Sequence, residues 1–536
     1  MDWIAFGASL SLYKSSMPIR PKRGRPVVIA GLGVDLPDLQ RARALWQQNR
    51  FDESVSLFEK TARAHPQNLV ALVDASRALG ARFEIARAEQ LLDRLVKIGA
   101  NRPDLLHLAG QSYRMIFRPE KAMDCFRQAL AKTKAIPDAQ LELAVLYERR
   151  HRVEEALSLI EDCLRGAPDY LEAQLFKGRL LRRMKDQAAA ESIFRALASI
   201  EDGEPAVRAQ AWAELAQAHD RRGEYDDAMR SMLRCKALML AAEGPFKRES
   251  DAVLNQLTAI CRGVTGGHFK KWADEGRAFP RRRVAALASF PRSGTTLIEQ
   301  ALDSHPDLVS SDEREAFARD IFPAMWLSAT TRAPSVEALD SAPMQRLSAQ
   351  RDRYLDYMAA ALQEAIGGRI HLDKNPTLTL LLPAFLRLFP EASLLIALRD
   401  PRDVVVSCFM QYLPLNTNSV CYLTLERAAR RYANDMAVWR DLRDKISAAW
   451  LELRYENCVG NLESEIRRCL EFLGLPWAPE VMNYRQRLKE KAVSSPTYEA
   501  VSQPLYTSAI GRWRHYQSYL EPCLEILAPS IAAFGY

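Results

Sequence analysis

The sequence predicts a fold in two parts: an all-α superhelix built from repeats, followed by a three-layer α/β domain with a parallel sheet. A repeat of 34 residues runs through the first half of the chain. Short apolar runs typical of buried parallel strands occur in the second half, and one leads into a glycine-containing turn and a helical pattern. A length of 536 residues is too great for one hydrophobic core. We therefore expect a tail over 1–36, repeats over 37–242, a helical linker over 243–280 and the α/β domain over 281–536.

The composition is that of an ordinary globular protein, with 48% hydrophobic and 26% charged residues. The net charge of +7 is compatible with an anionic ligand but is too small to predict a nucleic-acid partner, and we expect none. The nine cysteines have no paired short spacing and the eight histidines form no ligand-like cluster, so no metal site is predicted.

The first 36 residues have no predicted fold. They begin without a basic segment, and the apolar stretch at 3–12 is too short to span a membrane. Cysteine usage without evident pairing agrees with a reducing compartment. We expect no signal peptide, no membrane span and a cytoplasmic location, and Met17 is an alternative start.

The first half repeats a pair of positions that would let two helices pack closely. A small residue recurs and is followed four positions later by a bulky apolar one. The small residues are Ser54, Ala88, Ala122, Ala156 and Ala190, spaced by 34, with Ala228 after 38. The bulky residues are Phe58, Leu92, Phe126, Ile160, Phe194 and Met232. Prolines recur near the unit ends, where helices should stop: Pro66, Pro103, Pro137, Pro168 and Pro205.

This pattern resembles the tetratricopeptide repeat, a helix-turn-helix unit that stacks into a superhelix, and it predicts about six repeats. It departs from the repeat at Lys185-Asp186, which replaces the usual glycine of the turn. Such arrays present a concave surface to proteins or peptides. Two roles stay open: the array recruits a protein partner, or it forms a homodimer or braces the second domain.

The second half opens with a phosphate-binding pattern at 289–296. The apolar run 284–288 precedes it and a helical pattern follows, so backbone N–H groups and the positive helix end converge at the turn. A Walker loop would place Gly-Lys-Ser/Thr where this chain has Gly294-Thr295-Thr296, so the lysine is missing, and Arg292 lies earlier in the turn. The alternative is an ordinary strand–turn–helix connection.

A second pattern of this kind begins after the apolar run 394–398. Arg399 follows that run, and Ser407 lies eight residues on in a helix that Asp403 is expected to cap. A guanidinium and a hydroxyl together can hold a phosphate. The alternative is a surface ion pair within 399–403.

Two phosphate patterns without a Walker lysine resemble the sulfotransferases, and most closely the tyrosylprotein sulfotransferases and their bacterial relatives. The resemblance covers most of 284–520. Further matching segments lie at 302–307, 373–376, 388–390, 455–456 and 472–477. The resemblance implies a sulfuryl donor, 3′-phosphoadenosine 5′-phosphosulfate (PAPS). The first loop would bind its 5′-phosphosulfate, and Arg399 with Ser407 its 3′-phosphate.

The resemblance also implies the catalytic roles. Lys374 would stabilise the leaving phosphate together with Arg292, and Glu313 would take the proton of the acceptor. The family's Gly-Glu-Glu segment reads Ser311-Asp312-Glu313 here, and Glu315 replaces an arginine, which argues against a tyrosine peptide as acceptor. His371 is an alternative base. The donor-binding residues implied are Arg292, Ser293, Gly294, Thr295, Thr296, Arg399, Ser407, Tyr455, Thr497 and Arg512, the last near the 3′-phosphate, and no metal is required.

The predicted function is a PAPS-dependent sulfotransferase acting on a hydroxyl or amine. The acceptor stays open between protein tyrosine, a carbohydrate, a lipid headgroup and a small metabolite. The alternative is a catalytically inactive repeat scaffold with a nucleotide-binding, sulfotransferase-like domain. A metal-dependent nucleotide kinase is disfavoured because the Walker lysine is missing.

Overall fold

The computed structural model describes residues 35–48, 50–133, 136–327, 333–490 and 508–536. The chain divides into two compact units. The first extends to Leu197 and includes Ala359–Glu364, and the second comprises Ala198–Met358 and Ala365–Tyr536. The domain limits expected from the sequence stay a prediction. They are drawn from repeats and motifs, whereas these two units are defined by compactness.

Helices in successive antiparallel pairs form the part of the chain with the 34-residue period. Within the described residues they are α1 (Pro37–Gln47), α2 (Phe51–Ala64), α3 (Leu69–Ala81), α4 (Ile85–Ile98), α5 (Pro103–Met115), α6 (Pro119–Lys132), α7 (Pro137–Arg149), α8 (Val153–Gly166), α9 (Leu171–Arg183), α10 (Gln187–Ser199), α11 (Pro205–Arg221) and α12 (Tyr225–Leu240). Three of the recurring prolines, Pro103, Pro137 and Pro205, are the first residues of their helices, where the missing N–H does no harm. Six pairs agree with the number of repeats that the spacing predicts.

The recurring small residues all lie on the second helix of a pair and are buried, from Ser54 on α2 to Ala228 on α12. Glycines on the first helix supply room for the bulky partner. A Cβ on Gly110 or on Gly178 would lie 2.5 Å from the ring of Phe126 or Phe194, respectively. The sequence pattern therefore marks the contact between the two helices of each unit.

The second unit continues with two helices and then the sheet. Helices α13 (Gly244–Gly263) and α14 (Gly266–Gly276) occupy the expected linker, and the glycines at their bounds begin and end helices rather than interrupt them. The strands are β1 (Val284–Ser289), β2 (Leu308–Ser310), β3 (Ile370–Lys374), β4 (Ser393–Leu398) and β5 (Trp450–Arg454).

Further helices connect and follow the strands. They are α15 (Thr295–Leu302), α16 (Phe322–Trp326), α17 (Val336–Asp340), α18 (Met344–Leu362), α19 (Leu382–Leu388), α20 (Pro401–Phe409), α21 (Leu425–Arg443), α22 (Tyr455–Gly460), α23 (Leu462–Phe472), α24 (Tyr484–Glu490) and α25 (Gln517–Phe534). Short 3₁₀ helices cover Pro376–Leu381, Ser419–Tyr422, Pro479–Asn483 and Arg512–Tyr516, and a π-helix covers Phe317–Ile321.

All five strands are parallel, in the order β2-β3-β1-β4-β5. The central strand β1 is buried along its whole length. The chain moves to one side of β1 for β2 and β3 and to the other side for β4 and β5. Parallel α/β sheets bind ligands where the strand order reverses, outside the carboxyl ends of the strands. That place is the crevice beyond β1 and β4.

In the described residues, every helix is too short or too polar to cross a bilayer.

The turns inside the helix pairs share a strained backbone conformation. Phe83, Phe117, His151 and Lys185 have φ between 59° and 68°, and Gly223 holds the corresponding place with φ of 78°. Side chains with a Cβ are disfavoured there, and glycine is not.

Replacing Lys185 by glycine should therefore raise the free energy of unfolding by about 0.5–1 kcal/mol, because the strain of the Cβ is removed. Urea denaturation followed by circular dichroism measures the change. The matched control Lys185→Ala keeps the Cβ and should change little. Gly223→Ala should destabilise by about 1 kcal/mol. Equal stability of all three variants would contradict the assignment of strain to these turns.

Candidate active site

The side chains that the sequence associates with the reaction follow the carboxyl ends of all five strands. Arg292 follows β1, Glu313 follows β2, Lys374 ends β3, Arg399 follows β4 and Tyr455 follows β5. Because the strands are parallel, these ends share one edge of the sheet. The fold thus brings together residues that are up to 163 positions apart in the chain, from 292 to 455.

The turn after β1 needs glycine for two reasons. Gly294 has φ of 93°, and a Cβ there would lie 2.4 Å from Cδ2 of Tyr455. Arg292, with φ of 73°, is the other residue of this turn in the left-handed region. Helix α15 begins immediately after the turn, and the first N–H groups of a helix have no partners inside it. A turn followed by a helix start in this way is an arrangement that can bind an anion.

The two phosphate patterns are in direct contact. The Nε of Arg292 donates a hydrogen bond of 3.0 Å to Oγ of Ser407 on α20. A guanidinium nitrogen of Arg399 donates to the carbonyl oxygen of Arg292, also at 3.0 Å. The loop after β1 and the loop after β4 therefore form one continuous polar surface at the crevice.

Arg399 is the buried cation of this surface, with only 7% of the residue exposed. Its guanidinium lies 4.6 Å from the centre of the Tyr455 ring, a cation–π arrangement. Its Nε–H finds no acceptor among the described residues. An unsatisfied buried donor is unfavourable unless an acceptor such as a phosphate oxygen meets it.

The segment 508–516 also packs against this surface through hydrogen bonds to Arg399 and Asp403. Arg399 donates to the carbonyl oxygen of Ala509 at 2.5 Å. Asp403 accepts hydrogen bonds from the backbone N–H groups of Gly511 and Trp513, at 2.7 and 2.8 Å. The guanidinium of Arg402 lies 4.1 Å from the centre of the Trp513 ring.

The expectation that Asp403 caps α20 is wrong. Asp400 is the capping residue, since its side chain accepts from the N–H of Arg402 at 2.9 Å. Pro401 begins the helix, which is the preferred place of proline and identifies the residue before it as the cap. Asp403 lies inside the first turn and binds the segment 508–516 instead.

Lys374 lies at the centre of a buried ion cluster. Its Nζ is 2.8 Å from Glu313, 3.1 Å from Asp312 and 3.1 Å from Glu299, and its side chain is wholly shielded from water. Glu299 comes from α15, and the other two acids follow β2. The ammonium group therefore ties together the regions after β1, β2 and β3.

The charges of this cluster influence one another. Burial opposes the charge of Lys374, but the three neighbouring carboxylates raise its pKa well above the usual value. Burial raises the pKa of Glu299 to about 7, although the ammonium of Lys374 opposes this shift. Ser310 donates a hydrogen bond of 2.6 Å to Glu299.

The two candidates for the base differ in exposure. Glu313 has 36% of its side chain exposed and accepts a hydrogen bond from Lys374. His371 is fully buried within β3, and its Nε2 lies 3.1 Å from Oγ of Ser311. Burial lowers the pKa of His371 to about 3, so its ring is neutral. Of the two, Glu313 is the one that a molecule from solution can touch.

The expected donor-binding residue Arg512 pairs with an acid of the last helix pair. Thr497 lies outside the described residues. Arg512 lies 2.8 Å from Asp220, at the end of helix α11. Its guanidinium is thus engaged with the last helix pair.

Glu299 and Asp220 are the functional candidates that sequence reasoning missed. Glu299 lies on α15, which is buried along its whole length, and an acid at a buried position indicates an ion partner. Asp220 carries no local signal, because its partner is far away in the chain.

Comparison with known families agrees with this architecture. The sequence model of the sulfotransferase family matches residues 286–479. Models of the tetratricopeptide repeat match residues 45–111, 118–170, 141–205 and 211–245. The chain therefore combines tetratricopeptide repeats with a domain of the sulfotransferase family.

Relatives resemble either most of the chain or its second half. An uncharacterized protein of Aquifex aeolicus is 25% identical over 416 residues, which is 76% of this chain and about half (52%) of the relative. Protein-tyrosine sulfotransferase 2 of Gallus gallus is 26% identical over 269 residues, 47% of this chain and 68% of the relative. Among solved structures, a sulfotransferase from Mycobacterium avium is 17% identical and covers 60% of this chain and 95% of its own, with a TM-score of 0.31.

The Lys374 cluster predicts a pH-dependent stability. Because the pKa of Glu299 is raised in the folded state, the folded protein binds a proton there more tightly than the unfolded chain does. The contribution of this proton to the free energy of unfolding is full below pH 4.5 and is lost as the pH rises through about 7. The Glu299→Gln variant should lack this pH dependence. The stability of the original protein minus that of the variant should therefore fall by roughly 3 kcal/mol from pH 4.5 to pH 8.

Chemical denaturation at several pH values measures this difference. Glu337→Gln serves as a control of opposite sign. Hydrogen bonds from its own backbone N–H and from Ser335 lower the pKa of Glu337, so its stabilisation is lost as the pH falls. A constant difference between the original protein and Glu299→Gln across this range would contradict the assignment.

Proposed function

We propose that this protein transfers a sulfuryl group from PAPS to a hydroxyl or amine acceptor. The observation that carries the proposal is the contact between the two phosphate patterns, made by Arg292 with Ser407 and by Arg399 with the Arg292 carbonyl. PAPS has phosphate groups at the 3′ and 5′ positions of one ribose, and a surface with two linked anion sites suits it. The match to the sulfotransferase family supports the same reaction class.

The donor would bind through residues of both loops. The 5′-phosphosulfate would be held by Arg292 and by the turn and helix start, which comprise Ser293, Gly294, Thr295 and Thr296. The 3′-phosphate would be held by Arg399 and Ser407. The buried Nε–H of Arg399 is a suitable donor for it. Tyr455 would orient the guanidinium of Arg399 through its ring.

Glu313 and Lys374 would act together during transfer. The sulfur–oxygen bond to the donor phosphate breaks while a new bond forms to the acceptor, whose proton passes to Glu313. Protonation removes the negative charge of Glu313 and so weakens its electrostatic attraction to Lys374. The ammonium then has two acidic partners, Glu299 and Asp312. One N–H of Lys374 becomes free to stabilise the charge that develops on the leaving phosphate.

The geometry of the site indicates the kind of reacting group in the acceptor and leaves the rest of the acceptor open. A carboxylate base suits an alcohol or a phenol, because both must lose a proton as they attack. The relatives named protein-tyrosine sulfotransferases make a phenol one candidate. Glu315, where the resembling family has an arginine, removes a cation that could attract an acidic peptide, and its carboxyl pairs with Arg319 at 3.7 Å.

We assign the repeat array a binding role. Stacked helix pairs form extended surfaces that hold proteins or peptides. The array would bring an acceptor protein or another partner to the transferase. Self-association into a homodimer is the alternative, and the molar mass in solution distinguishes the two.

Arg399→Ala should weaken the binding of 3′,5′-adenosine diphosphate (PAP), the desulfated donor, by more than about tenfold, because a charge-assisted contact to the 3′-phosphate is lost. Isothermal titration calorimetry measures the affinity. Arg430→Ala is the matched control, since that arginine is exposed on α21 and pairs with Glu426. Unchanged affinity in Arg399→Ala would refute the placement of the 3′-phosphate.

Glu313→Gln should reduce turnover by at least about a hundredfold while PAP still binds, because the base is lost and the donor site is kept. Transfer of labelled sulfate from PAPS into a panel of phenols, sugars and peptides gives the readout. Glu463→Gln, which changes an exposed glutamate paired with Arg467 on α23, is the control and should keep its activity. Full activity of Glu313→Gln would move the base to another residue. PAP binding without transfer to any acceptor in the unmodified protein would favour the inactive scaffold.

A further inference from the structure

The last helix pair, α11 and α12, lies in the same compact unit as the sheet. The sequence assigns this pair to the repeats, and the family comparison does the same for residues 211–245. The pair nevertheless contacts two parts of the chain that lie against Arg399 or carry Ser407: the segment 508–516 and the end of α20. These contacts give the last repeat a role in the donor site.

The first set of contacts holds the segment 508–516. Asp220 on α11 pairs with Arg512 at 2.8 Å and accepts a hydrogen bond from the hydroxyl of Tyr516. The ring of Tyr225 on α12 stacks on His515, with centroids 4.1 Å apart and ring planes 10° apart. Tyr516 is fully buried, so this attachment is a packed one.

The second contact holds the helix that carries Ser407. Lys236 on α12 is 3% exposed and donates a hydrogen bond of 2.7 Å to the carbonyl oxygen of Gln411, just past the end of α20. A cation at the carboxyl end of a helix interacts favourably with the helix dipole. Burial lowers the pKa of Lys236 to about 8, so the ammonium form predominates at neutral pH.

Segment 508–516 in turn contacts the residues that would bind the 3′-phosphate. Its Ala509 carbonyl accepts from Arg399, and its Gly511 and Trp513 N–H groups donate to Asp403. A displacement of the segment would therefore move Arg399 and the first turn of α20. Asp220 stands at the start of this chain of contacts.

We infer that Asp220 is a positioning residue for the 3′-phosphate site: it fixes Arg512 and Tyr516, and through them the segment that orients Arg399. The last repeat is then a component of the donor site and not only part of a partner-binding array. This inference rests on the proposed function, because it assumes that Arg399 meets a 3′-phosphate.

Asp220→Asn is the direct test. The variant keeps the shape of the side chain but loses the charge that holds Arg512. We expect PAP to bind about fivefold to tenfold more weakly, while 5′-AMP, which lacks the 3′-phosphate, changes by less than about twofold. Calorimetry gives both affinities. The KM for PAPS should rise by a similar factor with kcat little changed, and Asp220→Glu should restore part of the affinity for PAP.

Asp226→Asn is the matched control. Asp226 lies on α12 and accepts a hydrogen bond of 3.0 Å from Tyr519 on α25, so it joins the last helix pair to the C-terminal helix at an exposed place. Its ratio of PAP to AMP affinity should equal that of the unmodified protein. A purely structural role of Asp220 would lower the melting temperature without changing this ratio.

Three outcomes would separate the hypotheses. An unchanged ratio of PAP to AMP affinity in Asp220→Asn, with the unmodified protein still preferring PAP, overturns the positioning role alone. Tighter PAP binding in Asp220→Asn also overturns it, and would mean that Asp220 competes with the 3′-phosphate for Arg512. No preference of the unmodified protein for PAP over AMP would contradict the proposed function itself.

Discussion

The site depends on balancing one buried positive charge. Lys374 is withdrawn from water at the end of β3, and an ammonium group in that position is strongly unfavourable unless carboxylates surround it. Three acids from two other strand ends meet this need. Their attraction to Lys374 fixes α15 and the loop after β2 against the sheet. The turn after β1 and Glu313 are therefore held at the site by the same electrostatic requirement.

The organisation of the strands could be predicted because their pattern is local. The runs before Arg292 and Arg399 are short, apolar and followed at once by polar residues, which indicates buried parallel strands that end at a site. The 34-residue period likewise reports a contact between neighbouring helices, so its small and bulky positions could be read from spacing alone. Patterns between residues close in the sequence were therefore enough to predict both parts of the fold.

The remaining features of the site depend on contacts between distant parts of the chain. Asp220 and Arg512 are 292 residues apart, and no spacing rule relates them. Glu299 is one of several polar residues on the buried helix α15, and its partner Lys374 is not near it in sequence. The error over Asp403 has a different origin, since the proline after Asp400 was a sufficient signal for the true helix cap.

The sixth helix pair joins the compact unit of the sheet, whereas the helices up to Leu197 form the other unit. The upstream pairs have an attachment of their own, since Arg118 donates a hydrogen bond of 3.1 Å to the carbonyl oxygen of Ala360 and Ala361 packs in their core. The side chains of the last pair are committed to the C-terminal segment and to α20. Gain or loss of a whole 34-residue module would leave both attachments intact only ahead of Arg118, so we expect array length to vary at the amino-terminal end of the series.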